Sequence, residues 1–278
     1  MADKDGPFIQ INATDLGTGQ PFTFTNESFA LLCSDLNEFK VARAVVASSA
    51  VPVAVPPITL KNYSGCQENE QSLIRSFGGS TDDTRLQAML KDLSSYSNKE
   101  QRRYIHLVDG GIADNLGVRS MLYRLLLLNE ASKKNKFIKK DAVKRPRDFV
   151  IIVVNAEANK TRPMEQSHDS PSSAQVISAV STAQISRNNL EAISQSKKLF
   201  NKVAENFSRD GKEMNTYFIE LKFDDIPDPR KRNILNNTAT SLSLPDSQVD
   251  MLYESGRTLL RDSKDFQRFL QNLKLVRQ

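Results

Sequence analysis

Hydrophobic and polar positions along the chain fall into short patterned stretches divided by glycine, proline and polar breaks. Phe8-Ile9-Gln10-Ile11-Asn12-Ala13-Thr14 alternates apolar with polar residues, meets Asp15 and a Gly17-Thr18-Gly19 turn, and resumes at Phe22-Thr23-Phe24. A β-hairpin is predicted there. Between Phe39 and Ala50 the apolar residues are dense and small. This predicts a buried helix that ends before Pro52, with Pro56 and Pro57 blocking any restart. Ile58 to Leu60 reads as a short strand.

Residues 61–100 are polar, and a weakly helical stretch from Thr84 to Leu93 is the one interruption. Such a segment reads as an insertion or flexible flap. Tyr104 to Val108 is a strand that runs straight into Asp109-Gly110-Gly111, and a helix follows from about Leu116 to Ser132, with Asp114 or Asn115 able to cap it. The β-branched run Phe149 to Val154 predicts a strand buried on both faces. A long helix is expected from about Ser172 to Phe207, packed on the sheet through Val176, Val180, Ala183, Leu190, Ile193, Phe200 and Val203. Thr216 to Phe223 alternates as another strand, closed by Pro227 and Pro229, and C-terminal helices fill 246–275. Strands separated by helices predict an α/β layered fold, read as one globular unit over residues 1–278, with no internal repeat.

Composition keeps the chain among ordinary globular proteins: 39% hydrophobic, 26% charged, with Gly and Pro at 11 each. Cys33 and Cys66 lie far apart and form no C-x-x-C pair, so neither a zinc site nor a disulfide framework is suggested. The opening MADKDGPF has no basic region followed by an apolar one, so it does not read as a secretory signal if Met1 is the natural start, and localisation is left open. Net charge is +5, and the excess is local: Lys133, Lys134, Lys136, Lys139, Lys140, Lys144, Arg145 and Arg147 share one short stretch. One function for this run is attraction to an anionic membrane surface, which supplies about 1 kcal/mol per basic residue near the surface. The other is a solvated connection between two elements. Nucleic acid is disfavoured, because Phe137 is the sole aromatic among these charges.

The sharpest chemical feature is HLVDGGIADNLGVR, a strand, a carboxylate, a double glycine and a helix. In open α/β sheets, side chains at the carboxyl ends of strands project into the crevice where ligands bind. Asp109 would stand at such an end, with Gly110 and Gly111 permitting a sharp turn at positive φ and leaving space beside the carboxylate. A carboxylate so placed could take a proton from a hydroxyl nucleophile. Taken alone, the motif favours an aspartate that caps its own turn, as Asp-Gly pairs often do. His106 and Asp109 are three apart and point to opposite faces of a regular strand, which argues against a shared metal. His168 follows Asp109 in the order of a hydrolase triad, yet G-x-S-x-G is absent and Gly78-Gly79-Ser80 lacks the spacing. Ser48 and Ser49, inside the expected buried helix, have hydroxyls that bond to the preceding turn.

Three blocks in order resemble the patatin-like phospholipases: INATDLGTGQPFTF with AVVASSAVPVAVPPITL, then HLVDGGIADNLGV, then TSLSLPDSQVDMLYESGRTLL. The resemblance implies a layered α/β/α patatin-like sheet, incomplete at the N-terminal side, and a Ser–Asp dyad in which Asp109 activates serine without a histidine. It places the glycine-rich oxyanion loop and the G-x-S-x-G elbow in an N-terminal half that would act in cis or in trans. The activity so implied is hydrolysis of phospholipid or acylglycerol esters, with no cofactor and no metal. His168 falls in no matching motif. The alternative is a non-catalytic lipid- or protein-binding module derived from such a hydrolase.

Overall fold

The computed structural model describes residues 9–52, 55–66, 84–121, 148–158, 163–207, 214–239, 241 and 243–276. The chain, expected as a single unit, divides into two compact units, and its described strands form two separate sheets. One compact unit comprises Met1–Ala142 and Ile177–Leu199, the other Val143–Val176 and Phe200–Gln278.

In the first unit, β1 (Asn12–Asp15) and β2 (Gln20–Thr23) form the expected antiparallel hairpin, with Asn12 opposite Thr23 and Asp15 opposite Gln20. Gly19 closes its turn at φ 71°, a region that glycine enters without steric cost. β3 (Ile58–Lys61) and β4 (Tyr104–Val108) also pair antiparallel, and β1 pairs with β4, giving the order β2-β1-β4-β3. Helix α1 (Asn26–Leu31) starts where the Thr25 side chain accepts the Ser28 N–H. Phe22, Phe24, Phe29, Leu31, Ile105 and Leu107 are the core, and Phe22 meets Phe24 edge-on at 5.3 Å.

Helix α2 (Val41–Ser48) packs on β1 and β4 through Ala44 and Ala47, whose small side chains allow close approach. It is not buried all round as expected: Val41, Val45 and Val46 are exposed. An all-apolar helix reads as surrounded, but here the inward face is made of alanines and the valines point out. The polar segment after β3 is anchored at both described ends. Helix α3 (Thr84–Ser94) leads to Tyr96, which is buried and donates its hydroxyl to the Asp15 carboxylate at 2.9 Å. The Asn62 side chain donates to the Tyr96 and Arg102 carbonyls, each at 2.8 Å. Residues 67–83 of this segment lie outside the described residues.

Cys33 and Cys66 form a disulfide, with Cα atoms 5.5 Å apart. This overturns the expectation from their spacing. The end of α1 and the exit of β3 lie side by side, with the Tyr63 N–H donating to the Leu32 carbonyl at 3.0 Å, and that proximity is invisible in a separation of 33 residues.

In the second unit, β5 (Asp148–Asn155) and β6 (Asn215–Lys222) form a parallel pair in which Asp148 faces Asn215 and Asn155 faces Lys222. Ile151 and Val153 are buried, but Ile152 and Val154 are exposed, so β5 is covered on one face and not on two. Helices α7 (Asp246–Asp262) and α8 (Lys264–Val276) match the expected terminal helices and pack on β6. Pro229 opens a helix that the sequence pattern did not reveal, α6 (Pro229–Asn236), with Asp228 as its N-cap. Proline is favoured at a first helical position, where no N–H is needed.

The long helix is α5 (Ser173–Phe207). Its predicted packing stripe is corrected over the N-terminal half, where Val176, Val180 and Leu190 are exposed, Leu190 by 72%. The buried positions are Asn189, Ala192, Ile193, Ser196, Leu199, Phe200 and Ala204. Two polar residues sit on the inward stripe, so apolar spacing alone selects the wrong face. The chain is thus a mixed α/β protein whose sheets carry helices.

Candidate active site

Asp109 follows β4 immediately, and its backbone is held by the end of α2. The Asp109 N–H donates to the Ala50 carbonyl at 2.9 Å and the Gly110 N–H to the Ser48 carbonyl at 3.0 Å. The last carbonyls of a helix have no partner inside it, and here the strand exit supplies one. The chain then turns into α4 (Gly111–Asp114). Thr14 of β1 spans this turn, donating its hydroxyl to the Asp109 carbonyl at 2.7 Å and accepting the Ala113 N–H at 3.1 Å.

The Asp109 carboxylate is half-buried. Its Oδ1 accepts the Gly111 N–H at 2.8 Å, while Oδ2 accepts no hydrogen bond from a described residue. The side chain therefore does cap its own turn, with one oxygen left over. Burial raises its pKa, partly offset by the Gly111 hydrogen bond.

Two expectations about this turn change. Its sheet is antiparallel, so the rule that places sites at the carboxyl ends of parallel strands gives Asp109 no support. Gly110 and Gly111 do not adopt positive φ. They are needed for closeness: a Cβ on Gly110 would lie 2.6 Å from the Asn12 carbonyl oxygen, and one on Gly111 would lie 2.8 Å from Asp109 Oδ1.

Asp114 is buried and caps the helical segment that begins at residue 118. Its Oδ1 accepts the Arg119 N–H at 3.0 Å, and its Oδ2 accepts both the Ser120 N–H at 2.9 Å and the Ser120 hydroxyl at 3.0 Å. Burial raises its pKa against these hydrogen bonds. Ser120 and Asp114 look like a serine–aspartate pair, but the carboxylate is spent on the helix start and both residues are buried. From α5, Asn188 donates to the Ile112 carbonyl at 3.0 Å and accepts from Arg119 at 3.2 Å, fixing the far side of the turn.

Comparison with known proteins returns no match: no family model, no curated protein and no solved structure aligns with the chain.

Of the other sequence candidates, Ser48, Ser49 and His106 belong to the described part of the first unit, and none of them hydrogen-bonds to the Asp109 carboxylate. Among the described residues no side-chain hydroxyl donates to it. The Ser49 hydroxyl donates back to the Val45 carbonyl at 3.0 Å, as expected for a helical serine, though Ser49 is exposed rather than buried. His106 is exposed, with Nδ1 3.0 Å from the Thr59 hydroxyl, and His168 is an exposed residue of the second unit. Among the described residues no three His, Cys, Asp or Glu side chains are grouped to hold a metal ion. The basic run from Lys133 to Arg147 lies outside the described residues. Sequence reasoning missed Thr14 and Asn188. The sequence signal for Thr14 was the break of alternation at the consecutive polar pair Thr14-Asp15, and the structure buries both residues.

Proposed function

We propose that this chain is the acid-bearing part of a patatin-like lipid acyl hydrolase, with Asp109 as the base of a Ser–Asp dyad. The observation that carries this reading is the divided state of the Asp109 carboxylate, with Oδ1 fixed by the Gly111 N–H and Oδ2 open. A base needs this combination of fixed orientation and a free acceptor with a raised pKa. The serine would come from an N-terminal half bearing G-x-S-x-G, in cis or in trans. Its hydroxyl would give its proton to Oδ2 while attacking the ester carbonyl of a phospholipid or acylglycerol. The tetrahedral oxyanion would be held by backbone N–H groups of that half, and water would then hydrolyse the acyl-enzyme. The fold would then be a layered patatin-like sheet that the N-terminal half completes. Support comes from β2 and β3, the outer strands of the four-stranded sheet, neither of which pairs with a further strand among the described residues.

A second reading, a non-catalytic lipid- or protein-binding module, is favoured by the exposed Val41, Val45 and Val46 on α2. Both readings allow peripheral attachment to an anionic membrane through Lys133–Arg147. Binding to anionic vesicles that exceeds binding to neutral ones and weakens with salt would support that attachment.

The deciding experiment co-expresses the chain with an N-terminal segment carrying G-x-S-x-G and follows ester hydrolysis. The chain alone should neither turn over nitrophenyl esters nor be labelled by a fluorophosphonate. In the restored enzyme, Asp109→Asn should lower kcat by on the order of 10²- to 10⁴-fold with little change in KM. An unchanged kcat removes Asp109 from the dyad. Labelling of a serine in the chain alone overturns the assignment of the nucleophile.

A further inference from the structure

We infer that Thr14 is the positioning residue for Asp109, which it holds from another strand by clamping the backbone on both sides of the Asp109 turn. The inference deepens the reading of Asp109 as a base, since it names what fixes that base in place.

Thr14 and Asp109 are 95 residues apart in sequence, and the Thr14 hydroxyl is engaged as both donor and acceptor. It donates to the carbonyl of Asp109 itself and accepts the N–H of Ala113, four residues on. One oxygen thus bridges the entry and the interior of the turn. Between these two points stands the Gly111 N–H that orients the carboxylate. Thr14 is 1% exposed, so no water replaces these bonds from the surface. Gly110 completes the arrangement. Its α-carbon faces the Asn12 backbone so closely that a Cβ would lie 2.6 Å from the Asn12 oxygen. The turn is thereby pressed against β1 at Gly110 and bonded to β1 at Thr14.

Without the hydroxyl, the turn loses its link between the Asp109 carbonyl and the Ala113 N–H, and the geometry of the Gly111 N–H to Oδ1 bond relaxes. That bond holds the carboxylate down against the upward pull of burial. Loosening it moves the Asp109 titration upward. A residue that merely filled space in the core would not do this, since valine has almost the shape of threonine.

The test uses the 278-residue chain, with no serine half required, and reads the Asp109 carboxyl by carbon-detected NMR titration. In Thr14→Val the Asp109 pKa should shift upward from its wild-type position, and in Thr14→Ser, which restores the hydroxyl, it should return. An unchanged Asp109 titration in a folded Thr14→Val chain overturns the inference. So does a shift that Thr14→Ser fails to reverse. Should Thr14→Val not fold, the wild-type chain decides by hydrogen exchange. The Ala113 N–H, whose acceptor is the Thr14 hydroxyl, should be protected in the folded state, and free exchange there overturns the clamp. Because these measurements read ionisation and protection, they stand or fall separately from whether Asp109 serves a serine.

Discussion

Asp109 Oδ1 lies 2.8 Å from the Gly111 amide nitrogen, and also 2.8 Å from the point where a Gly111 side chain would begin. The hydrogen bond in this geometry therefore leaves no room for a side chain at 111 unless the carboxylate shifts. Gly111→Ala should keep the fold and displace the carboxylate, because the obstructing atoms are the side-chain oxygens of Asp109 and Asn115. Gly110→Ala should be worse for stability, by about 1–3 kcal/mol, because its obstruction is the Asn12 backbone. Urea unfolding of the two variants, with amide spectra of residues around 109, checks the contrast. Equal destabilisation would contradict it.

The contribution of Asp109 to the pH dependence of stability has a definite sign. Burial raises the pKa of Asp109, so between the ordinary carboxylate value and the raised one the folded chain holds more protons than the unfolded chain. The stability contributed by this group then falls as pH rises through that window and is level above it. Asp109→Asn removes this slope. Relative to wild type, its stability should improve with rising pH across the window, as measured by denaturant titrations at several pH values. A difference independent of pH would mean that the carboxyl is not raised.

Asp15 is fully buried and is paired with Arg102 at 2.5 Å, while Tyr96 donates to the same oxygen and the Gly17 N–H bonds the other. Removing the cation leaves a carboxylate without its counter-charge in the interior. Arg102→Ala should cost about 3–5 kcal/mol of unfolding free energy. Tyr96→Phe, which removes one hydrogen bond, should cost about 1–3 kcal/mol. Chemical denaturation ranks them, and a smaller loss for Arg102→Ala than for Tyr96→Phe would refute the pairing as the main stabiliser of Asp15.

Much of this architecture could be read from pattern. Strand alternation located the hairpin and β6, and the strand β4 running into Asp109-Gly110-Gly111 marked the turn that carries the candidate base. What could not be read was long-range. Thr14 and Asn188 reach the turn from distant segments, and no local spacing announces either contact. The α5 stripe was misassigned because Asn189 and Ser196 occupy inward positions that a hydrophobic count treats as outward. Asp114 illustrates a further limit. Asn usually caps a helix about as well as Asp, but here both carboxylate oxygens accept backbone N–H groups, so one of them would face the amide NH₂ of an asparagine.

The disulfide should contribute measurably to stability. Replacing Cys33 and Cys66 together with serine should lower the unfolding free energy by about 2–4 kcal/mol, because the unfolded chain regains the freedom of an open loop. Urea curves with and without dithiothreitol provide the check. Wild type should fall toward the double variant when reduced, and the variant should not respond. A wild-type curve indifferent to reductant would refute the prediction.

That same bond makes a covalent ring of the chain from Cys33 to Cys66, and the ring contains α2 with the Ser48 and Ala50 carbonyls that receive Gly110 and Asp109. The platform under the candidate base is therefore tied at both ends. Fraying from either side is stopped at a sulfur atom. Oxidising surroundings keep such a ring closed, and the glutathione of a reducing cytosol tends to open it. The oxidation history of a sample, from expression to the last buffer, thus becomes a variable of the site itself. Two preparations with identical sequence could hold Asp109 with different firmness.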